Sequence, residues 1–159
     1  MVDYTKDLIL SWDDVHRASK ALARKLHGIE KWDGILCITR GGLIPAGIIS
    51  RELEIRLIDT ICIHSYDHKS QGNADMLKTP EIKDDGNNWL IIDDLSDTGN
   101  TFRLVRDLYP NGHFACLYAK PKGQDVVDTF IQDVAQDTWI HFPWDLSLQY
   151  ATPIAVEAN

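Results

Sequence analysis

Apolar and polar positions follow two rhythms along this chain. From Ser11 the rhythm is helical: Val15, Ala18, Leu22 and Leu26 recur three or four residues apart and share one face. Ser11 and Asp14 have the spacing of a capping box at its start, and Gly28 supplies a stop. Met1–Leu10 reads as a short lead without a regular element. The second rhythm is the largely continuous apolar run. Gly34–Thr39, Leu57–Tyr66, Leu90–Ile92 and His113–Ala119 suit strands covered on both faces, as in a parallel sheet. Leu43–Leu53 and Phe102–Leu108 return to helical spacing. Pro45 lies in the first turn of the former, where a missing amide costs little, and Pro110-Asn111-Gly112 closes the latter. Phe130–Val134 and Thr138–His141 are two further β-like segments. Residues 67–88 fit neither rhythm. They are polar, include Gly72, Pro80 and Gly86, and are long for a structureless connection, which is the mark of a functional lid.

Composition narrows the class. At 159 residues the chain is a single domain by length, with enough residues for a real core. A net charge of −8 excludes a basic nucleic-acid surface and means that any polyanionic ligand must be held by local groups and a metal. Cys37, Cys62 and Cys116 each fall inside a strand-like run, without Cys-x-x-Cys spacing. An odd count with no targeting pattern at the N-terminus points to a reducing cytosol and to buried, quiet thiols. No apolar run approaches the roughly 18 residues of a membrane span. His16 and His27 read as surface residues, and His64 and His68 as strand-end polarity rather than a metal pair. Trp139 and Trp144, so close together, read as core by the average burial of tryptophan.

The chemistry concentrates in Trp89–Thr101, Trp-Leu-Ile-Ile-Asp-Asp-Leu-Ser-Asp-Thr-Gly-Asn-Thr. Asp93 and Asp94 are expected at the carboxyl end of a buried strand, where open α/β sheets bind ligands. Asp97–Thr101 is small and hydroxylated and opens a helix, so its amides can surround a phosphate. The Walker-type loop is excluded, since no Gly-x-x-x-x-Gly-Lys occurs. Arg40-Gly41-Gly42 follows another strand. Two glycines allow the backbone close to a ligand, and an arginine beside them suits pyrophosphate.

These motifs resemble the type I phosphoribosyltransferases, and within them the bacterial branch that acts on guanine and xanthine. The resemblance rests on Ser-Trp-Asp near the start, Arg-Gly-Gly-Leu-Ile-Pro, Asp-Thr-Ile-Cys-Ile-His-Ser-Tyr-Asp-His, the Asp93–Thr101 signature, Ala-Lys-Pro-Lys-Gly and Gln-Asp-Thr-Trp-Ile-His-Phe-Pro-Trp-Asp, in one order over nearly the whole chain. It implies an α/β fold: a central, mainly parallel twisted sheet with helices on both faces, a lid at about 67–88 and a small hood mainly from 124–159. It implies transfer of the 5-phosphoribosyl group of phosphoribosyl diphosphate (PRPP) to N9 of guanine, xanthine and, less well, hypoxanthine.

The roles implied are specific. Arg40, Gly41, Asp93, Asp94, Asp97, Thr98, Gly99, Asn100 and Thr101 bind PRPP, with Mg²⁺ met by Asp94 directly or through water. Asp97 is the purine-side acid/base residue. Lys120 meets O6 of the base, Trp139 stacks on it, and the Ile140 carbonyl accepts from a 2-amino group. A cis peptide is expected between Arg40 and Gly41. The sequence departs from its relatives at Gly72, where they carry a basic residue after the glutamine; Lys69 or Lys78 would have to substitute. The resemblance also implies a cytoplasmic homotetramer with loose peripheral membrane association, for which the acidic composition offers no basic surface. Two readings stand beside this one: a hypoxanthine-preferring enzyme, and a non-catalytic regulator that binds PRPP or nucleotide on the same fold. A hydrolase with Asp93, Asp94 and Asp97 as a metal cluster lacks a nucleophile and a leaving-group acid.

Overall fold

The computed structural model describes residues 4–64, 75–145 and 155. Its elements are β1 (Lys6–Ile9), α1 (Trp12–Leu26), β2 (Gly34–Thr39), α2 (Leu43–Glu52), β3 (Ile58–His64), β4 (Asp75–Lys78), β5 (Trp89–Ser96), α3 (Asn100–Leu108), β6 (His113–Ala119), β7 (Thr129–Asp133) and β8 (Thr138–His141). Six strands form one sheet in the order β4-β3-β2-β5-β6-β7. The pairs from β3 through β7 are parallel, and only β4 is antiparallel to its neighbour.

The apolar runs are continuous because both faces of this sheet are covered. Ile35, Cys37, Leu90, Ile92, Ala115 and Leu117 join one core cluster with Val15, Leu22 and Leu26 of α1 and Ile49 of α2. The alternate residues Leu36, Ile38, Ile91, Phe114 and Cys116 join the other, with Phe102 and Val105 of α3. A one-residue register slip would exchange the two sets, so this double burial fixes the register. α1 starts at Ser11, where the capping box is formed from both sides.

Several boundaries differ from the sequence reading. β5 runs on to Ser96 instead of stopping at Ile92, because β6 keeps pairing with it through Leu95 and Ser96. The carboxylates therefore lie within β5, beyond the point where β2 stops pairing with it at Ile92. The lead is not featureless: β1 pairs in parallel with β8 as a separate two-stranded sheet. Within the segment expected to form a hood, β8 pairs with β1 from the start of the chain, and β7 belongs to the main sheet. Within the expected lid, β4 pairs with β3 and Asp84–Gly86 forms a 3-10 turn. That part is anchored from α3's far end by Tyr109 Oη donating to the Pro80 carbonyl and Asn111 N to that of Asp85. The lid residues before Asp75, including Gly72, Lys69 and His68, lie outside the described residues, as does the His64 side chain. The cis peptide is Thr39–Arg40, one bond before the expected position, since the strand ends and the turn begins there.

Candidate active site

The strand order reverses between β2 and β5. After β2 the chain crosses by α2 to β3 on one side; after β5 it crosses by α3 to β6 on the other. Crossovers that diverge leave a crevice at the carboxyl ends of the two central strands. Arg40–Gly42 approaches it from β2 and Asp93–Thr101 from β5. Gly41 and Gly42 are required here by proximity. A side chain on Gly41 would begin 2.5 Å from Asp94 Oδ1, and one on Gly42 would strike the Ile92 carbonyl. The glycine loop and the carboxylate pair therefore form one surface.

That pair carries raised pKa values. Burial, then the neighbouring Asp94 charge, holds Asp93 well above the usual carboxylate range. Burial lifts Asp94 to about 6, with Asp145 adding to the rise against hydrogen bonds from Asp93 and Leu95. Two adjacent carboxyls that ionise reluctantly alone are suited to a cation. Among the described residues no group of three or more His, Cys, Asp or Glu forms a metal cage. The donor set fits Mg²⁺, which takes one or two carboxylates and keeps several waters. The thiols flank the pair without chemistry of their own: burial pushes Cys37 up to about 12 and Cys116 higher still.

Residues Asp93–Phe102 line a cleft of about 170 Å³. Gly99 caps α3 with φ +79°, a conformation that favours glycine, and no side chain bonds the helix start. The first amides of α3 are left for an anion. Arg103 is turned away from this cleft. It holds the Thr98 carbonyl at 2.7 Å and Asp125 with two bonds at 2.7 and 2.9 Å, fastening the loop to the Pro121–Val126 turn. Ser96 Oγ adds a 2.8 Å bond to the Gly123 carbonyl.

Asp97 is the hub on the other side. Its Oδ2 accepts from Lys120 Nζ and from Tyr4 Oη, each at 3.0 Å, and its Oδ1 accepts from Gln136 Nε2 at 2.8 Å. Lys120 is fully buried and lies 4.7 Å from the centre of the Tyr4 ring. That ring meets Trp139 edge-on at 4.8 Å. Trp139 is 48% exposed on β8, contrary to the core reading, while Trp144 does pack on the core and stacks on Phe142. Among the described residues β8 has a strand partner on one edge, β1. The side chain of Ile140 itself is buried.

Most of the expected site residues thus converge on one crevice. Lys78 is occupied by Asp59 and Thr60. Three residues near the site carried no separate signal: Tyr4, Gln136 and Asp145, the last close enough to Arg40 for its charge to be felt. Gln136 and Asp145 at least sit inside a recognisable segment; Tyr4 has none. A second groove of about 700 Å³ between α2 and β3, lined by Arg51, Arg56 and Ile58, holds none of this chemistry.

Comparison with known proteins agrees with this geometry. Residues 7–151 match the Phosphoribosyl transferase domain family. A Desulfotalea psychrophila protein named xanthine-guanine phosphoribosyltransferase is 55% identical over 152 residues, 95% of this chain and 94% of that one. A Cereibacter sphaeroides protein of the same name is 51% identical over 156 residues, covering 94% of this chain and 93% of that one. A solved purine phosphoribosyltransferase from Pyrococcus horikoshii superposes with a TM-score of 0.74 at 31% identity, covering 94% of this chain and 100% of that one.

Proposed function

Because this chain belongs to the phosphoribosyl transferase domain family, matched over residues 7–151, we propose that it transfers the 5-phosphoribosyl group of PRPP to N9 of guanine and xanthine, and less well of hypoxanthine. The products are GMP, XMP or IMP, and pyrophosphate. The observation that carries this reading is the meeting of Asp97 and the buried Lys120 at 3.0 Å beside Trp139, at the mouth of the strand that bears the phosphate loop. A base subsite and a sugar-phosphate subsite then share one wall.

The sugar phosphate lies in the loop. Amides and hydroxyls of Thr98, Gly99, Asn100 and Thr101 take the 5′-phosphate, helped by the α3 dipole. Arg40 and the Gly41 backbone face the pyrophosphate. Asp93 and Asp94 face the ribose hydroxyls, and Asp94 is the residue that would hold Mg²⁺, directly or through water. When bound, Mg²⁺ neutralises charge on pyrophosphate and ribose oxygens. The C1–oxygen bond to pyrophosphate breaks as N9 of the base attacks C1. Positive charge grows on the ribose ring, beside the carboxylate pair. The base loses a proton in becoming a nucleotide, and Asp97, beside N7, accepts it, a role that contributes typically ~10²–10⁴-fold.

The base is recognised by its edge. Lys120 donates to O6, which an amino group in adenine would repel. Trp139 stacks on the ring, and the Ile140 carbonyl accepts from the guanine 2-amino group. The three free cysteines, two of them buried, fit a reducing compartment and hence the cytosol. No helix among the described residues is long and apolar enough to cross a membrane.

The test is turnover of PRPP with each base in the presence of Mg²⁺. Guanine and xanthine are consumed with pyrophosphate release, and adenine is not. A xanthine kcat/KM below about one-hundredth of that for hypoxanthine, about 2.7 kcal/mol, would transfer the preference to hypoxanthine. No pyrophosphate with any base would leave a non-catalytic binder.

A further inference from the structure

We infer that Gln136 is a positioning residue that sets the orientation of the Asp97 carboxylate; the inference rests on the reading above. The two oxygens of Asp97 are held differently. Oδ2 faces Lys120 and Tyr4, on the side where the base is received. Oδ1 is held by Gln136 Nε2 at 2.8 Å. The Gln136 amide is itself fixed, because its Oε1 accepts the Lys122 backbone N–H at 3.0 Å. An oxygen is needed toward that N–H, so the amide's donor end must face the carboxylate. Without this bond the carboxylate is held through Oδ2 alone, and its last torsion, which is broad and two-fold, lacks a second tether. With it, Oδ1 is tied to the Gln136 turn and Oδ2 is kept on the side of Lys120 and Tyr4, where the base is received. Gln136 thereby ties the turn before β8, which carries Trp139, to the loop that carries the phosphate.

Two substitutions separate this role from simple anchoring. Gln136→Glu keeps the acceptor for Lys122 but replaces the donor toward Asp97 with a like charge. Gln136→Met removes both bonds. If Gln136 positions Asp97, both variants lose about tenfold or more in kcat with guanine, while KM for PRPP stays within about twofold. If it only anchors the Lys122 turn, Gln136→Glu retains the parent kcat, and the inference is overturned. Thermal unfolding of each variant checks folding, and Gln136→Glu still decides should the methionine variant fail to fold. A parent protein inactive on every base would instead sink the functional reading.

A different observation concerns Tyr4. Its hydroxyl bonds Asp97, its ring covers Lys120, and its ring meets Trp139. A purine that touches the same three groups needs the space this phenol occupies. The geometry points to Tyr4 as a competitor of the base for this space, one that has to move for the base to bind. An enzyme whose open state is only a fraction of the population binds its ligand more weakly by that fraction. Tyr4→Ala is therefore expected to lower KM for guanine several-fold at saturating PRPP, and Tyr4→Phe, which loses only the Asp97 bond, to lower it less. An unchanged or higher KM in Tyr4→Ala overturns this role, because it would mean that Tyr4 is a bystander or helps to hold the base.

Discussion

The Lys120–Asp97 pair changes how the acid/base residue has to be tested. Lys120 is 0% exposed, and Asp97 is its one carboxylate partner among the described residues. Removing one member of a buried pair leaves a charge without compensation, which costs ~3–5 kcal/mol. Asp97→Ala should therefore lose both activity and stability. Asp97→Asn keeps an oxygen near the ammonium and should lose kcat by ~10²-fold or more with a smaller loss of stability. Kinetics beside urea unfolding of both variants separates the two effects. Equal unfolding midpoints would show that Lys120 finds another way to satisfy its charge. The Asp93–Asp94 pair makes a pH prediction at the same scale. Asp94 is raised to about 6 and Asp93 shifts in the same direction, so the folded chain holds these protons more firmly than the unfolded one. Their contribution to stability is full at acid pH and is lost as pH rises through about 6. In the absence of metal, Asp94→Asn should exceed the parent in unfolding midpoint at about pH 7.5, with the difference closing toward about pH 4. Mg²⁺ with pyrophosphate should restore the parent, because binding to the folded state alone stabilises it.

Elements, rather than residues, decide which parts of the site hold together. β8 carries Trp139 and Ile140 and, among the described residues, is paired only with β1. Removing the first nine residues, with the Tyr4→Ala variant as the reference so that loss of the tyrosine is already counted, strips that partner. The truncated protein should lose base binding far more than PRPP binding, read as KM for guanine against KM for PRPP. A truncation with an unchanged guanine KM would show that β8 keeps its place through the core contacts of Ile140 and Phe142 alone. The pyrophosphate side answers to a different element. Gly41→Ala sets a methyl group against the Asp94 carboxylate, so KM for PRPP should rise by about tenfold or more while KM for guanine moves little. The same division explains what the sequence disclosed. Gly34–Thr39 and His113–Ala119 were legible to the residue because burial on both faces leaves a continuous apolar run, and Thr138–His141 as a short β-like run. Asp93–Thr101 was legible because a phosphate loop is one continuous segment. β1 was not, because Lys-Asp-Leu-Ile has no pattern of its own and is a strand only through β8 at the far end of the chain. Tyr4 and Gln136 were hidden for the same reason: a single side chain brought to Asp97 by tertiary packing writes no motif.

At the scale of the whole molecule, an acidic chain binds a polyanion only because its fields are local. The net charge of −8 repels PRPP at a distance, so on the proposed reading the loop amides and a cation have to attract it within the crevice. The loops that do so need rigid backing, and one of them leads into a helix that, among the described residues, is covered on one side. α2 follows directly on Gly42 and buries Pro45, Ala46, Ile49 and Ser50 against the sheet. Its other side exposes Leu43 and Ile44, close in sequence to the pyrophosphate loop. Leu57, Ile58 and Leu77 on β3, its approach and β4 are also exposed. If the chain associates with copies of itself, these exposed apolar residues are the ones a contact would cover. Light scattering should then find an assembly of several copies. Leu43→Glu should shift it toward the monomer and raise KM for PRPP, because the Arg40–Gly42 loop would rest on a helix no longer held from outside. Unfolding of the separated subunits should depend little on protein concentration, whereas that of the parent should depend on it strongly. A parent protein that is monomeric at assay concentration yet fully active would show that the crevice is complete in one chain and that the apolar side of α2 serves something else.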